Sequence, residues 1–161
     1  MTYTVILFIT RNSNLTTDEF KAHYEHTHIP LARTLVGGAW PKIFRRQYLA
    51  RITRKGFGGP ANPDRPLLML RGDKLDDDYD CIAELSFDSE LDFQLFYRGI
   101  YAKENAAILA RDEEKFLEPG KTRVVVVGET VTDQGGYTTH DVGFTPKFES
   151  PEREMSTSGL S

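Results

Sequence analysis

The chain has 161 residues, 39% of them hydrophobic and 27% charged, as expected of one globular domain that buries a core of its own. A net charge of −4 leaves no basic footprint for nucleic acid or an anionic membrane, and the longest apolar runs, residues 5–9 and 124–127, are too short to cross a bilayer. A lone cysteine, Cys81, excludes an intrachain disulfide and a thiolate metal cluster, and with no basic, apolar leader at the first residues the expectation is a cytoplasmic protein.

Residues 4–11 (TVILFITR) are β-branched and aromatic and predict a strand, closed by an Asn-Ser-Asn turn. Thr16 or Thr17 then caps a helix whose first turn carries Asp18 and Glu19. At about 100° per residue, Phe20, Tyr24, Thr27, His28, Leu31 and Leu35 share one stripe, while Asp18, Glu19, Glu25 and His26 take the opposite side. Pro30 cannot donate to the His26 carbonyl, so a kink or restart is expected there, with a short second helix ending at Gly37-Gly38. Residues 43–53 alternate as a second strand. Residues 55–78, rich in Gly, Pro and Asp, form a long loop insertion. Residues 80–87 (DCIAELSF) are a third strand, and Ser89 opens a helical region that runs, with bends near Gly99 and residues 103–105, to Leu117. Residues 122–129 (TRVVVVGE) make the last strand. A domain of residues 1–133 followed by a C-terminal tail, 134–161, is therefore expected.

The order β-α-β-β-α-β predicts an α+β fold of the ferredoxin-like type with a four-stranded antiparallel sheet. Helices cover one sheet face only, yet residues 5–9 and 124–127 are apolar at both parities. A homodimer through the sheet face would supply the missing cover; the tail folding back over it is the other solution.

Chemistry concentrates on the apolar stripe of the first helical segment. His28 lies one turn after Tyr24, and an imidazole with an ordinary pKa near 6.5 suits proton transfer at neutral pH. Equally, His28 can be a buried ring bonded to a carbonyl that Pro30 leaves free. The spacing of His23, His26 and His28 invites a metal, but in an α-helix His28 points about 140° from His23, so no metal site is expected and His23 and His26 are assigned to solvent. Glu84 interrupts an apolar strand and is either a second carboxylate in the cleft or the partner of an arginine on the neighbouring strand. Phe93, Phe96, Tyr97, Ile100 and Tyr101 give the second helical region an aromatic face. With the hydroxyls of Tyr24 and Tyr48, and Trp40 at the mouth, they would line a cleft suited to a flat phenolic ligand. Cys81 reads as a small buried hydrophobe, and Gly56-Phe57-Gly58-Gly59 lacks the lysine and the strand–helix setting of a phosphate loop.

The FxxxYxxxHxPL run (Phe20, Tyr24, His28, Pro30, Leu31), the opening strand, the strand over residues 79–87 and the closing strand over 121–129 resemble the EthD family, most closely its fungal-type members. The similarity extends over about residues 3–131; the insertion at 55–78 and the tail depart from it. The resemblance implies a dimeric α+β barrel whose sheet–helix cleft takes a small aromatic or polyketide-derived molecule, with the family histidine at His28. The leading expectation is a cofactor-independent lyase, cyclase or decarboxylase of secondary metabolism. His28 would act as acid–base catalyst, Tyr24 and Tyr48 would bond the developing oxyanion, and Arg46 would hold a substrate carboxylate. The other expectations are a cofactor-free anthrone-type monooxygenase, a non-catalytic or stress-related binding protein and, more remotely, a haem-handling barrel.

Overall fold

The computed structural model describes residues 1–62, 65–72 and 79–145. Strand β1 (Tyr3–Ile9) leads into α1 (Thr17–His23), a π-helical turn (Tyr24–His28) and α2 (Ile29–Val36); β2 (Ile43–Tyr48) and β3 (Cys81–Phe87) follow. Helices α3 (Glu90–Tyr101) and α4 (Lys103–Phe116) then precede β4 (Arg123–Val126). The four strands form one antiparallel sheet in the order β2-β3-β1-β4, the ferredoxin-like arrangement expected from the element order. Much of the expected loop insertion is described, with isolated bridges Arg51–Leu67 and Arg54–Ala61; residues 63–64 and 73–78, and the expected tail from 146 onward, lie outside the described residues.

Alternation along the central strands explains where the core sits. Tyr3, Val5 and Ile9 of β1, with Cys81, Ala83, Leu85 and Phe87 of β3, are buried in two apolar clusters with Phe20, Tyr24, Ile29 and Phe116 from the helices. Ile6, Phe8, Ile82, Glu84 and Val125 have the other parity and so occupy the opposite face, where the register sets Ile6 beside both Glu84 and Val125. Strand β4 is exposed along its whole length.

The expected boundary at residue 133 falls inside a second, two-stranded sheet. Strand β5 (Glu129–Gln134) pairs with β6 (Tyr137–Val142) through a two-residue turn, Gly135-Gly136. Both glycines have positive φ, 58° and 81°, which a type I′ hairpin requires and side chains resist. Past the hairpin, Phe144 returns to the core and meets the ring of Tyr3 edge-on at 6.1 Å. Threonine-rich alternation over 129–142 and the Gly-Gly pair are a hairpin signal that composition alone hides.

Candidate functional site

The first helical segment starts at a complete capping box. The Thr16 hydroxyl accepts from the Glu19 N–H, and the Glu19 carboxylate accepts from the Thr16 N–H. Phe20 is driven into the core, which sets the helix rotation. Ahead of Pro30 the helix widens: the Ile29 N–H donates to the Tyr24 carbonyl, five residues back. Proline has no N–H, and its ring crowds the carbonyl four residues earlier, so a wider turn relieves the clash without breaking the helix. Pro30 then sits in the first turn of α2, which closes at Gly37 with φ 65°.

The wide turn changes which side chains share a face. The π-turn takes up one extra residue, which brings residues five apart toward a common face, so His23 and His28 converge instead of diverging by the ~140° of an α-helix. Both meet Asp112 of α4. His28 Nδ1 lies 2.9 Å from Asp112 Oδ2, and His23 Nε2 lies 3.0 and 3.2 Å from the two carboxylate oxygens. His23 is therefore half-buried, stacked on Phe116 with ring centres 4.8 Å apart, and does not take the fully solvated position expected for it. The carbonyl left free by Pro30 is not the partner of His28; Asp112 is.

Burial raises the Asp112 carboxyl, but the bonds from His28 and His23 outweigh it and hold the group below its ordinary value. An ionised Asp112 only accepts, so Nδ1–H of His28 donates to it and the Nε2 lone pair of the neutral ring is left free. Burial lowers the His28 pKa, and the pull of Asp112 in the other direction does not cancel it. Nε2 lies 3.9 Å from Oε1 of Glu113, whose carboxyl is raised by burial and by neighbouring Asp112.

His28 opens onto a cavity of about 560 Å³ between sheet and helices, within the range that holds a small organic ligand. Of the expected cleft residues, Tyr24, Trp40, Phe93, Tyr97, Ile100 and Tyr101 line it, with Phe44 and the β4 valines Val124 and Val126 completing the apolar wall. Burial lifts the Tyr24 phenol far above its usual range, so this group is a permanent O–H, 6.0 Å ring to ring from His28. Cys81 is buried, its thiol pushed up to about 12, chiefly by burial, and is inert packing.

Four expected site residues lie elsewhere. The Tyr48 hydroxyl donates to Glu25 at 2.6 Å, and Arg46 grips the same carboxylate through two nitrogens at 2.8 and 2.7 Å; neither lines the cavity. Glu25, placed by α-helical spacing on the side away from the apolar stripe, faces β2 together with Lys21 one turn earlier, whose ammonium lies over the Tyr48 ring at 5.1 Å. Glu84 has the opposite parity to the core positions Ala83 and Leu85 and sits on the far face of the sheet, paired in register with Arg45. Phe96 is interior packing against Phe87 and Trp40. Two site residues that the sequence does not announce are Asp112 and Glu113, in a run (RDEEK) that looks like a solvated face. A signal was present: Leu109, Asp112 and Phe116 fall at i, i+3 and i+7, the buried stripe of α4. Among the described residues no group of three or more His, Cys, Asp or Glu is arranged to hold a metal ion, and no helix is long and apolar enough to cross a membrane.

Fold and site define a ferredoxin-like α+β protein with a histidine-bearing pocket between sheet and helices. The EthD domain model matches residues 12–120, and the chain belongs to that family. Among solved structures it is similar to an ethyl tert-butyl ether D (EthD) family protein from Bacillus halodurans C-125, at 17% identity and a TM-score of 0.44, covering 79% of this chain and 97% of that one. An EthD-like protein from Ralstonia eutropha JMP134 is similar at 13% identity and a TM-score of 0.43, over 78% and 87% of the two chains. A dimeric ferredoxin-like protein of unknown function from Thermobifida fusca YX is similar at 16% and 0.42, over 79% and 90%. No curated protein matches the chain.

Proposed function

We propose that the protein is a cofactor-independent enzyme of the lyase or cyclase type, working by proton transfer on a small, enolisable aromatic or polyketide-derived molecule. The observation that carries this reading is the His28–Asp112 pair: a neutral imidazole anchored through Nδ1 by a buried carboxylate, its other nitrogen bordering an aromatic-lined cavity. Nε2 would take a proton from carbon next to a ketone or phenol. The electron pair of the broken C–H bond moves onto the substrate oxygen, where the Tyr24 O–H can donate a hydrogen bond. Conjugation in the substrate spreads that charge, so the step needs no cofactor. A ring-forming, dehydrating or decarboxylating outcome follows from what the carbanion meets next. Attack by oxygen on the same carbanion would make it a monooxygenase, which oxygen uptake during turnover distinguishes.

The two-sided apolar pattern of β1 and the exposed Val125 support a homodimer joined through the sheet face.

The test uses 2-tetralone, an uncharged enolisable aromatic ketone, whose exchange of carbon-bound protons in D2O is followed by proton NMR. The protein should accelerate the exchange over buffer, and His28→Ala should lower the acceleration by about 10²–10⁴-fold, the usual worth of one positioned acid–base group. A folded His28→Ala variant that exchanges at the wild-type rate overturns the proposal.

A further inference from the structure

The charges around the cavity narrow the substrate further, an inference that rests on the acid–base reading of the same site. Among the described residues, no side chain that lines the cavity is a lysine or arginine, and the one carboxylate that does is Glu113. Asp112 stands directly behind the His28 imidazole. Two cations rest on rings of the wall without lining it themselves: Arg46 lies over Phe44 and is held by Glu25, and Arg33 lies over Trp40. Everything else polar on the wall is uncharged: the phenols of Tyr24, Tyr97 and Tyr101, the Trp40 indole and the Thr122 hydroxyl.

We infer that the cavity selects an uncharged hydroxyaromatic or ketonic ring and rejects its carboxylate analogue, with Glu113 as the residue that discriminates. A carboxylate entering this space would lose its water without meeting a cation and would stand beside Glu113 and Asp112, two groups of its own sign. A neutral phenol loses less and finds acceptors at His28 Nε2 and Glu113 Oε1, which lie 3.9 Å apart, close enough to flank one O–H or one acidic C–H. The role expected for Arg46 as a carboxylate clamp is thereby replaced: specificity at this site is exclusion by like charge. Of the outcomes the proposed carbanion chemistry leaves open, decarboxylation of a free aromatic acid is disfavoured, and ring formation or dehydration of an uncharged ring is favoured.

A matched pair of probes tests the inference, 1-naphthol and 1-naphthoate, which differ in charge but little in shape at pH 7.5. Their affinities would be measured by titration calorimetry on the full chain, and the 15N signals of the histidine side chains would locate the bound ring beside His28. The expected result is naphthol binding that shifts the His28 signals, with naphthoate weaker by at least about tenfold. Glu113→Gln, which removes the charge and keeps the shape, should narrow that gap by strengthening naphthoate. Equal affinities in the wild type, or a gap untouched by Glu113→Gln, overturn the inference while leaving the acid–base reading in place. If neither probe disturbs His28, that reading falls and this one with it.

Discussion

At the scale of single residues, the site is organised by one buried carboxylate. Asp112 fixes the tautomer of His28, and the proposed proton transfer at Nε2 depends on it. The same burial links the site to stability. The native ring titrates below its ordinary 6.5 and the unfolded ring at about that value, so between the two the unfolded chain binds more protons. Stability is therefore lost as pH falls through 6.5 toward the lowered native value. Glu113 acts in the opposite sense, because its raised carboxyl costs stability as pH climbs above 4.5 through its native value. Thermal melts between pH 7 and about 5.5 should show a steeper loss for the wild type than for His28→Gln; parallel curves would mean another group is responsible. His28 and Tyr24 were legible in the sequence because both sit on an apolar stripe. Asp112 shares that property on α4 and was masked by its acidic neighbours. Tyr48 and Arg46 lie outside the pocket because Glu25 captures both, a tertiary pairing between helix and β2 that spacing within either element does not reveal.

At the scale of elements, the π-helical turn is the point where sequence reasoning stopped short. A proline at position 30 implies a disturbance, and the expected restart is there as α2. Whether the chain kinks, breaks or widens is decided by packing: Phe20 and Tyr24 on one side and Ile29 on the other are all buried, and a widened turn keeps all three inside. Replacing the proline tests this account. Pro30→Ala restores an N–H that can bond the His26 carbonyl, so the turn can tighten to an α-helix and separate His23 from His28 by about 140°. We expect an unchanged far-ultraviolet spectrum, one hydrogen-bonded imidazole at Asp112 instead of two in 15N spectra, and tetralone exchange reduced by roughly tenfold or more. If both imidazole signals persist, the proline is not what holds the turn open.

At the scale of the whole molecule, the ferredoxin-like order and the antiparallel sheet followed from counting strands and helices, because each element carries its own periodicity. The hairpin of β5 and β6 did not, since its alternation uses threonine and acidic residues instead of hydrophobes. Strand parity also put Glu84 out of reach of the pocket, a consequence of a two-residue repeat that holds however attractive a lone mid-strand acid looks. The apolar residues on the same face as Glu84 supply the test of assembly. The wild type should sediment at twice the mass of one chain, and Val125→Glu, which sets a charge among Ile6 and its neighbours, should sediment at half that value. A wild type that stays single at tens of micromolar removes the dimer from the account.

The ring of Phe116 has no solvent exposure and touches His23, Tyr24 and His28 as well as Phe20. Floor and foundation are one object here: trimming that ring to make room for a bulkier guest would loosen the fold itself. Anyone redesigning the pocket for a new compound should recarve the α3 side, where Tyr97 and Tyr101 are half open to water, and leave the base of the hollow as it is.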